Sequence, residues 1–258
     1  MIHADLELAR RLESAEAAIA RGCIEGRPDT AILEAAGGLA VFAGAESPVT
    51  QAIGIGLHGR VSQAEIDRLE AFFRSRGAPV SIDLCPLADI FLRGQLASRG
   101  YRPAEFNNVM VRRLPGDEFL PSARARMIAP EESELWCRTV GQGFFEQSEL
   151  SEEEMEVGRA IYSTAGAHCY LAFDESGTAC AGGAMMVHQG LALLLSDSTV
   201  GHWRRRGFHR DLILARLRDA VAQSCDLAAA SVSPGYASQR NYERAGFQVA
   251  YTKVLLVG

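Results

Sequence analysis

Thr199-Val200-Gly201-His202-Trp203-Arg204-Arg205-Arg206-Gly207-Phe208-His209-Arg210 is the stretch on which the reading of this chain turns. It follows an apolar run, Leu191 to Leu195, that reads as a strand. It precedes Asp211 to Gln223, where Ile213, Leu214, Leu217, Ala220 and Val221 recur at helical spacing. A strand-to-helix junction rich in arginine is therefore expected here. The start of a helix offers unpaired amide groups and the positive end of the helix dipole. Gly207 lets a ligand approach the backbone, and the arginines add forked cationic donors. The combination suits a phosphate or pyrophosphate. Arginines alone would describe only a solvated turn; their place between strand and helix favours the anion site.

The surrounding composition narrows the class. The chain has 258 residues, 48% of them hydrophobic, which suffices for one large or two small cores. A formal net charge of -6 argues against a general nucleic-acid binder, so the arginines are a local feature of an acidic protein. The six cysteines form no C-x-x-C pair and join no histidine cluster, so no metal site is expected and free thiols in a cytoplasmic setting are the reading. No apolar run is long enough to span a membrane. The charged N-terminus reads as an amphipathic helix with Leu6, Ala9, Leu12, Ala15 and Ile19 on one face.

Working outward, the chain alternates strands and helices. In the first half, strands are expected at 39–43, 49–57, 79–84 and 106–114. Helices are expected at 63–76, capped by Ser62, and at 90–98. A linker runs from Leu114 to Ser122. The second half opens with a strand at 124–128 and helices at 131–145 and 151–164, the latter with a Ser151/Glu154 capping box. A hairpin at 168–188 turns at Asp174-Glu175-Ser176-Gly177. The strand 191–197, the arginine junction with its helix, a strand at 227–232, a helix at 236–245 and a strand at 248–257 complete the chain.

The halves match in punctuation. Pro86 and Pro234, and Gly59 and Gly207, each stand 148 residues apart; "SRGY" at 98–101 corresponds to "RAGF" at 244–247. This indicates two copies of one α/β unit, bounded as 1–115 and 122–258. Gly54-Ile55-Gly56-Leu57-His58-Gly59, with Asp83 downstream, spells a dinucleotide-binding G-x-G-x-x-G. The helix cap falls past its last glycine, at Ser62, and the repeat explains Gly59 more simply, so no such role is expected.

The second half resembles the GNAT acetyltransferases. Their R-x-x-G-x-G/A loop is matched by Arg204 to His209, with His209 where glycine or alanine is usual. Their Tyr-Glu-x-x-Gly-Phe block is matched by Tyr242 to Phe247. The first half resembles the same fold without an intact cofactor loop. The resemblance implies an α/β (α+β) class with two tandem GNAT-like units, each a mixed, mostly antiparallel twisted sheet flanked by helices. It implies acetyl-CoA as co-substrate, a small-molecule or peptide amine as acceptor, and direct attack in a ternary complex. The implied cofactor residues are Ser198, Thr199 and Val200 beside the pantetheine arm, Arg204, Arg205, Arg206, Gly207, Phe208 and His209 around the pyrophosphate, and Ser238 and Asn241 on the following helix. Tyr242 is the implied donor to the departing thiolate and Asp197 the candidate base. The alternative is a non-catalytic acyl-CoA-binding or interaction module of the same fold. Glu146, Glu149 and Glu152 to Glu154 are candidates for attracting a cationic acceptor.

Overall fold

The structure, a computed structural model, describes residues 2–114 and 124–258. Most of the expected linker, residues 115 to 122, lies outside the described residues. In chain order the elements are α1 (Leu6–Ile24), β1 (Ala31–Ala35), β2 (Gly38–Phe42), β3 (Gln51–Ile53), α2 (Gln63–Arg74), β4 (Ser81–Leu84), α3 (Leu92–Ser98) and β5 (Arg102–Arg113). They continue with β6 (Ala125–Met127), α4 (Ser133–Phe145), α5 (Glu152–Tyr162), β7 (His168–Phe173), β8 (Ala179–His188), β9 (Leu191–Thr199), α6 (Phe208–Ala222), β10 (Leu227–Val232), α7 (Ala237–Arg244) and β11 (Gln248–Val257). Two compact units emerge. The first holds Met1–Val109, Val232–Pro234 and Val249–Gly258, and the second holds Met110–Ser231 and Gly235–Gln248.

One expectation is corrected. The strands do not make a separate sheet for each half but one mixed, eleven-stranded sheet in the order β1-β2-β3-β4-β11-β5-β10-β9-β8-β7-β6. The last strand of the chain, β11, pairs antiparallel with β4, Val254 opposite Leu84 and Val257 opposite Ser81. Periodicity reveals that a segment is a strand but not which edge it will satisfy. An open edge is costly enough that pairing partners come from anywhere in the chain.

The first unit follows its local signals closely. Ser62 and Glu65 exchange both bonds of a capping box, and α2 buries Ile66, Leu69, Phe72 and Phe73. The expected strand at 49–57 shrinks to β3 because Gly54 and Gly56 take φ of 71° and 77° and turn the chain away. The G-x-G-x-x-G run is therefore a set of turns, with no helix until Gln63. Strand β1 escaped the sequence reading. It meets β2 through Ala36 and Gly37, both at positive φ, in a two-residue hairpin turn, and alanine there gives no turn signal. On α1 the buried stripe is Ala9, Leu12, Ala15, Ala20 and Ile24; Leu6, expected in it, is exposed.

That same helix carries Glu13, which is buried, beside three other charged groups. Lys253 Nζ on β11 lies 2.6 Å from Asp83 Oδ2 and 3.4 Å from Glu13 Oε2, and it also pairs with Glu16. The Tyr251 hydroxyl donates to Glu13 Oε1 at 2.9 Å. Asp83, the acid of the false dinucleotide pattern, is thus a lysine partner. Three carboxylates face one ammonium. Burial first, then the neighbouring Glu16 and Asp83, outweigh the attraction of Lys253 and push Glu13 up to about 8. Burial alone would lower Lys253; the carboxylates override it and hold it well above its ordinary value.

The shift on Glu13 makes stability depend on pH. From 4.5, its ordinary value, to about 8, the folded chain keeps a proton that the unfolded chain has lost. Stability therefore falls as pH rises through that window, by at most about 1.4 kcal/mol per unit. Glu13→Gln, which keeps an acceptor for Tyr251 and needs no proton, is expected to flatten the decline in melting temperature between pH 5 and 8. A decline as steep as the wild type's would place the proton elsewhere.

Candidate functional site

In the second unit, β9 is shaped by a bulge. Ala184 faces Leu195 and Gly182 faces Ser198, so three steps along β9 match two along β8. Ser196 takes φ of 56° within it. A bulge bends the strand and re-aims its side chains. On its other side β9 runs parallel to β10, with pairing from Leu191↔Leu227 to Leu193↔Ala229. The remaining length of β9 ends in Asp197, Ser198 and Thr199, which line a cavity of about 940 Å³. The first turn of α6 and one face of α7 form the other walls.

Asp197 is the hub of a buried network. Arg216 on α6 is fully buried and donates from Nη2 to Asp197 Oδ1; its other nitrogens reach Ala184 O at 2.9 Å and Leu212 O at 3.1 Å. The Tyr242 hydroxyl on α7 donates to Asp197 Oδ2. His209 Nε2 stands 3.2 Å from that same oxygen without hydrogen-bond alignment. Asn241 Nδ2 meets His209 Nδ1 at 2.9 Å. Burial alone would raise the Asp197 pKa; Arg216 and then His209 override it and hold it at about 2. Burial, then the Asp197 charge, raises Tyr242 well above an ordinary phenol.

A glycine makes room for this pair. A β-carbon on Gly183 would lie 2.6 Å from Asp197 Oδ1 and 3.0 Å from Arg216 Nη1. Gly183 and Arg216 were both missed in the sequence, where one looks like a strand glycine and the other like an ordinary helix-surface arginine.

The arginine loop divides its labour. Gly207, at φ 89°, is the N-cap of α6 and supplies no capping side chain, so the first amides of the helix remain uncapped beside the cavity. Arg204 lines the cavity, but its donors reach Glu146 at 2.7 Å, Gly143 O at 3.0 Å and Thr199 O at 3.2 Å. Arg206 lies over the Trp203 ring at 4.8 Å, away from the cavity wall. Phe208 is buried with the Arg124 guanidinium 4.6 Å above its ring, although it contributes to the lining. Of the remaining expected cofactor residues, Ser198, Thr199, Arg205, His209, Ser238 and Asn241 are brought to the cavity. Val200 is not; its amide donates to Cys180 O at 3.1 Å. Tyr242 also lies off the wall, behind Asp197. The Ser198 Oγ is buried and without a hydrogen-bond partner.

Arg210, the last arginine of the expected anion-binding stretch, also lines the cavity; Tyr236, Arg240 and Arg244 line it and were not expected. The available signal was the four-residue spacing of Tyr236, Arg240 and Arg244, which puts them on one helical stripe. Several acids proposed for the acceptor side are already engaged: Glu146 with Arg204, Glu152 with Arg159, and Glu154 in the Ser151 capping box. His168 and His188 sit at strand ends in β7 and β8. Among the described residues no cluster of histidine, cysteine or acid side chains is arranged to hold a metal, and no helix is long and apolar enough to cross a membrane. A second cavity, about 630 Å³, lies in the first unit; part of its charge is neutralised internally, as by Arg21 on Glu34 at 2.7 Å.

No protein-family model matches this sequence, and no curated protein matches it. Solved structures do. A GCN5-related N-acetyltransferase from Kribbella flavida superposes with a TM-score of 0.71 at 18% identity, over 97% of this chain and 95% of that one. A GCN5-related N-acetyltransferase from Sphaerobacter thermophilus gives 0.61 at 17% identity, over 99% and 94%. A tandem GNAT protein from the clavulanic acid biosynthesis pathway gives 0.63 at 15% identity, over 98% and 93%. The structural neighbours are thus GNAT acetyltransferases over nearly the whole chain, and the fold is GNAT-like.

Two substitutions test the buried network. Gly183→Ala forces a methyl group against the Asp197–Arg216 pair and is expected to cost about 1–3 kcal/mol by overpacking. Arg216→Met leaves the largely buried Asp197 without its ion-pair partner and is expected to cost about 3–5 kcal/mol. Urea denaturation measures both, and a loss below 0.5 kcal/mol, roughly the scatter of surface changes, would mean the pair is not a structural hub.

Proposed function

We propose that the second unit binds acetyl-CoA and transfers its acetyl group to the nitrogen of an amine. The observation that carries this reading is electrostatic. Arg205, Arg210, Arg240 and Arg244 all face one cavity, and among the described residues none has a carboxylate partner. In a chain of net charge -6, unpaired cations converging on a cavity call for an anionic ligand. The uncapped start of α6 points to the same chemistry. The donor set therefore fits the coenzyme. Arg205, Arg210 and the amides of Gly207 to Arg210 would hold its diphosphate. Ser198 and Thr199 would flank its arm, with the unpartnered Ser198 Oγ as a further donor. Bound there, it supplies an activated acyl thioester.

The chain's own residues would do the rest. Asp197, held at about 2, stays ionised at any working pH and so acts by its charge; it is a poor store for the proton of the amine. That charge anchors the Tyr242 hydroxyl and faces His209. Tyr242 keeps its proton throughout the physiological range and is the candidate donor to the departing sulfur; the proton released by the attacking nitrogen would pass to water, and water would return one to the tyrosine. This role needs its hydroxyl to leave Asp197, whose other oxygen Arg216 continues to satisfy. The acceptor would be a small-molecule or peptide amine.

The first unit is read as a degenerate copy. Its counterpart loop carries Arg60, whose guanidinium lies over the Phe91 ring at 4.8 Å. One coenzyme per chain is the expected stoichiometry. The burial of Tyr242 behind Asp197 favours a second reading, a non-catalytic acyl-CoA-binding module.

Titration calorimetry on the full chain separates these readings. Acetyl-CoA is expected to bind one per chain, and Arg205→Gln with Arg210→Gln to weaken it at least tenfold. With an amine acceptor found by screening for thiol release, Tyr242→Phe is expected to lower kcat about a hundredfold, in the range of general acid catalysis, with little change in KM for acetyl-CoA. Unchanged turnover would remove Tyr242 from the chemistry. Binding without turnover on any amine would favour the module. No binding would end the coenzyme reading.

A further inference from the structure

Two of the four unpaired arginines are not at the loop at all. Arg240 and Arg244 sit one turn apart on α7, with Tyr236 one turn before them at its N-cap. The three share a stripe, and all three line the cavity. Both arginines are exposed, and Tyr236 is 69% exposed with no hydrogen bond recorded for its hydroxyl among the described residues. The acid on the same helix forms no ion pair with either: Glu243 accepts from Gln239 at 2.8 Å, and Gln239 in turn accepts from the amide of Gly235 at 2.7 Å. An aromatic ring left bare at a cavity lip, followed by two guanidinium groups with no ion-pair partner among the described residues, has the makings of a nucleotide seat. The ring offers a stacking face for a base, and the paired forks suit a terminal phosphate.

We infer that the Tyr236–Arg240–Arg244 stripe of α7 seats a 3′-phosphorylated adenosine, and that the cavity thereby selects coenzyme A over its 3′-dephospho form. The inference rests on the coenzyme reading above and adds to it a second, separate phosphate subsite. The charges agree. A diphosphate diester carries two negative charges, matched by Arg205 and Arg210 at the start of α6. A phosphomonoester carries about 1.5 to 2 more at pH 7, matched by Arg240 and Arg244. With only the diphosphate bound, the α7 pair would remain a like-charged patch at i,i+4 spacing, which is mildly destabilising by itself.

The test is calorimetry on the full chain with three ligands: coenzyme A, 3′-dephospho-coenzyme A and 4′-phosphopantetheine. The wild type is expected to bind coenzyme A at least tenfold more tightly than the dephospho form. Arg240→Gln with Arg244→Gln is expected to remove that preference by weakening coenzyme A alone. Tyr236→Ala is expected to weaken both adenine-containing ligands severalfold and to leave phosphopantetheine unchanged. Equal affinity of the wild type for coenzyme A and its dephospho form overturns the inference while leaving the coenzyme reading intact. So does a double variant that weakens all three ligands alike, which would show a diffuse field in place of a subsite. Failure of all three ligands to bind removes the coenzyme reading and this inference with it.

Discussion

The second unit depends on a buried ion pair, Asp197 with Arg216. A guanidinium with no exposed surface is tolerable only if its charge and its donors are matched, and here a carboxylate and three backbone carbonyls match them. The pair then dictates its surroundings. It requires a strand position without a side chain, which Gly183 provides, and a bulge in β9 that brings Asp197 to the end of the strand. It also provides the fixed charge to which Tyr242 is bonded and which His209 faces. One interaction thus ties β8, β9, α6 and α7 together at the floor of a cavity.

Above that floor the electrostatics change sign. Asp197 is neutralised from behind, so it does little to cancel the arginines that face the same space. Arg204 is likewise tied up by Glu146 and two carbonyls. What remains is an array of unpaired cations beside an uncapped helix start. The first unit handles charge in the opposite way. There Lys253 is surrounded by Glu13, Glu16 and Asp83, and burial favours a proton on Glu13, which lessens the excess of negative charge. That cluster pairs its cation within the fold, whereas among the described residues Arg205, Arg210, Arg240 and Arg244 have no carboxylate partner.

The arginine loop, its glycine and the strand and helix on either side of it were legible in the sequence because each is a local signal. So were the Ser62 and Ser151 caps and the apolar face of α2, which depend on spacing within a single element. The G-x-G-x-x-G run was set aside for a local reason too, the position of the helix cap, and α2 does begin only at Gln63. The elements that escaped were those with no local mark. The turn between β1 and β2 uses Ala36 at positive φ, where asparagine or glycine would have announced it. Arg216 looked like any polar residue on a helix.

Alone, then, the sequence placed most of the strands and helices and set a run of arginines at 204–210 between β9 and α6. These follow from backbone preferences and side-chain periodicity, which act over a few residues. Only the tertiary structure decided which strands are neighbours, that β11 pairs with β4, that Asp197 joins Arg216 and Tyr242, and that Arg240 and Arg244 face the same cavity as Arg205. Each of those joins residues far apart in the chain, and the energy that selects them comes from burial and charge matching, which exist only once distant segments have come together.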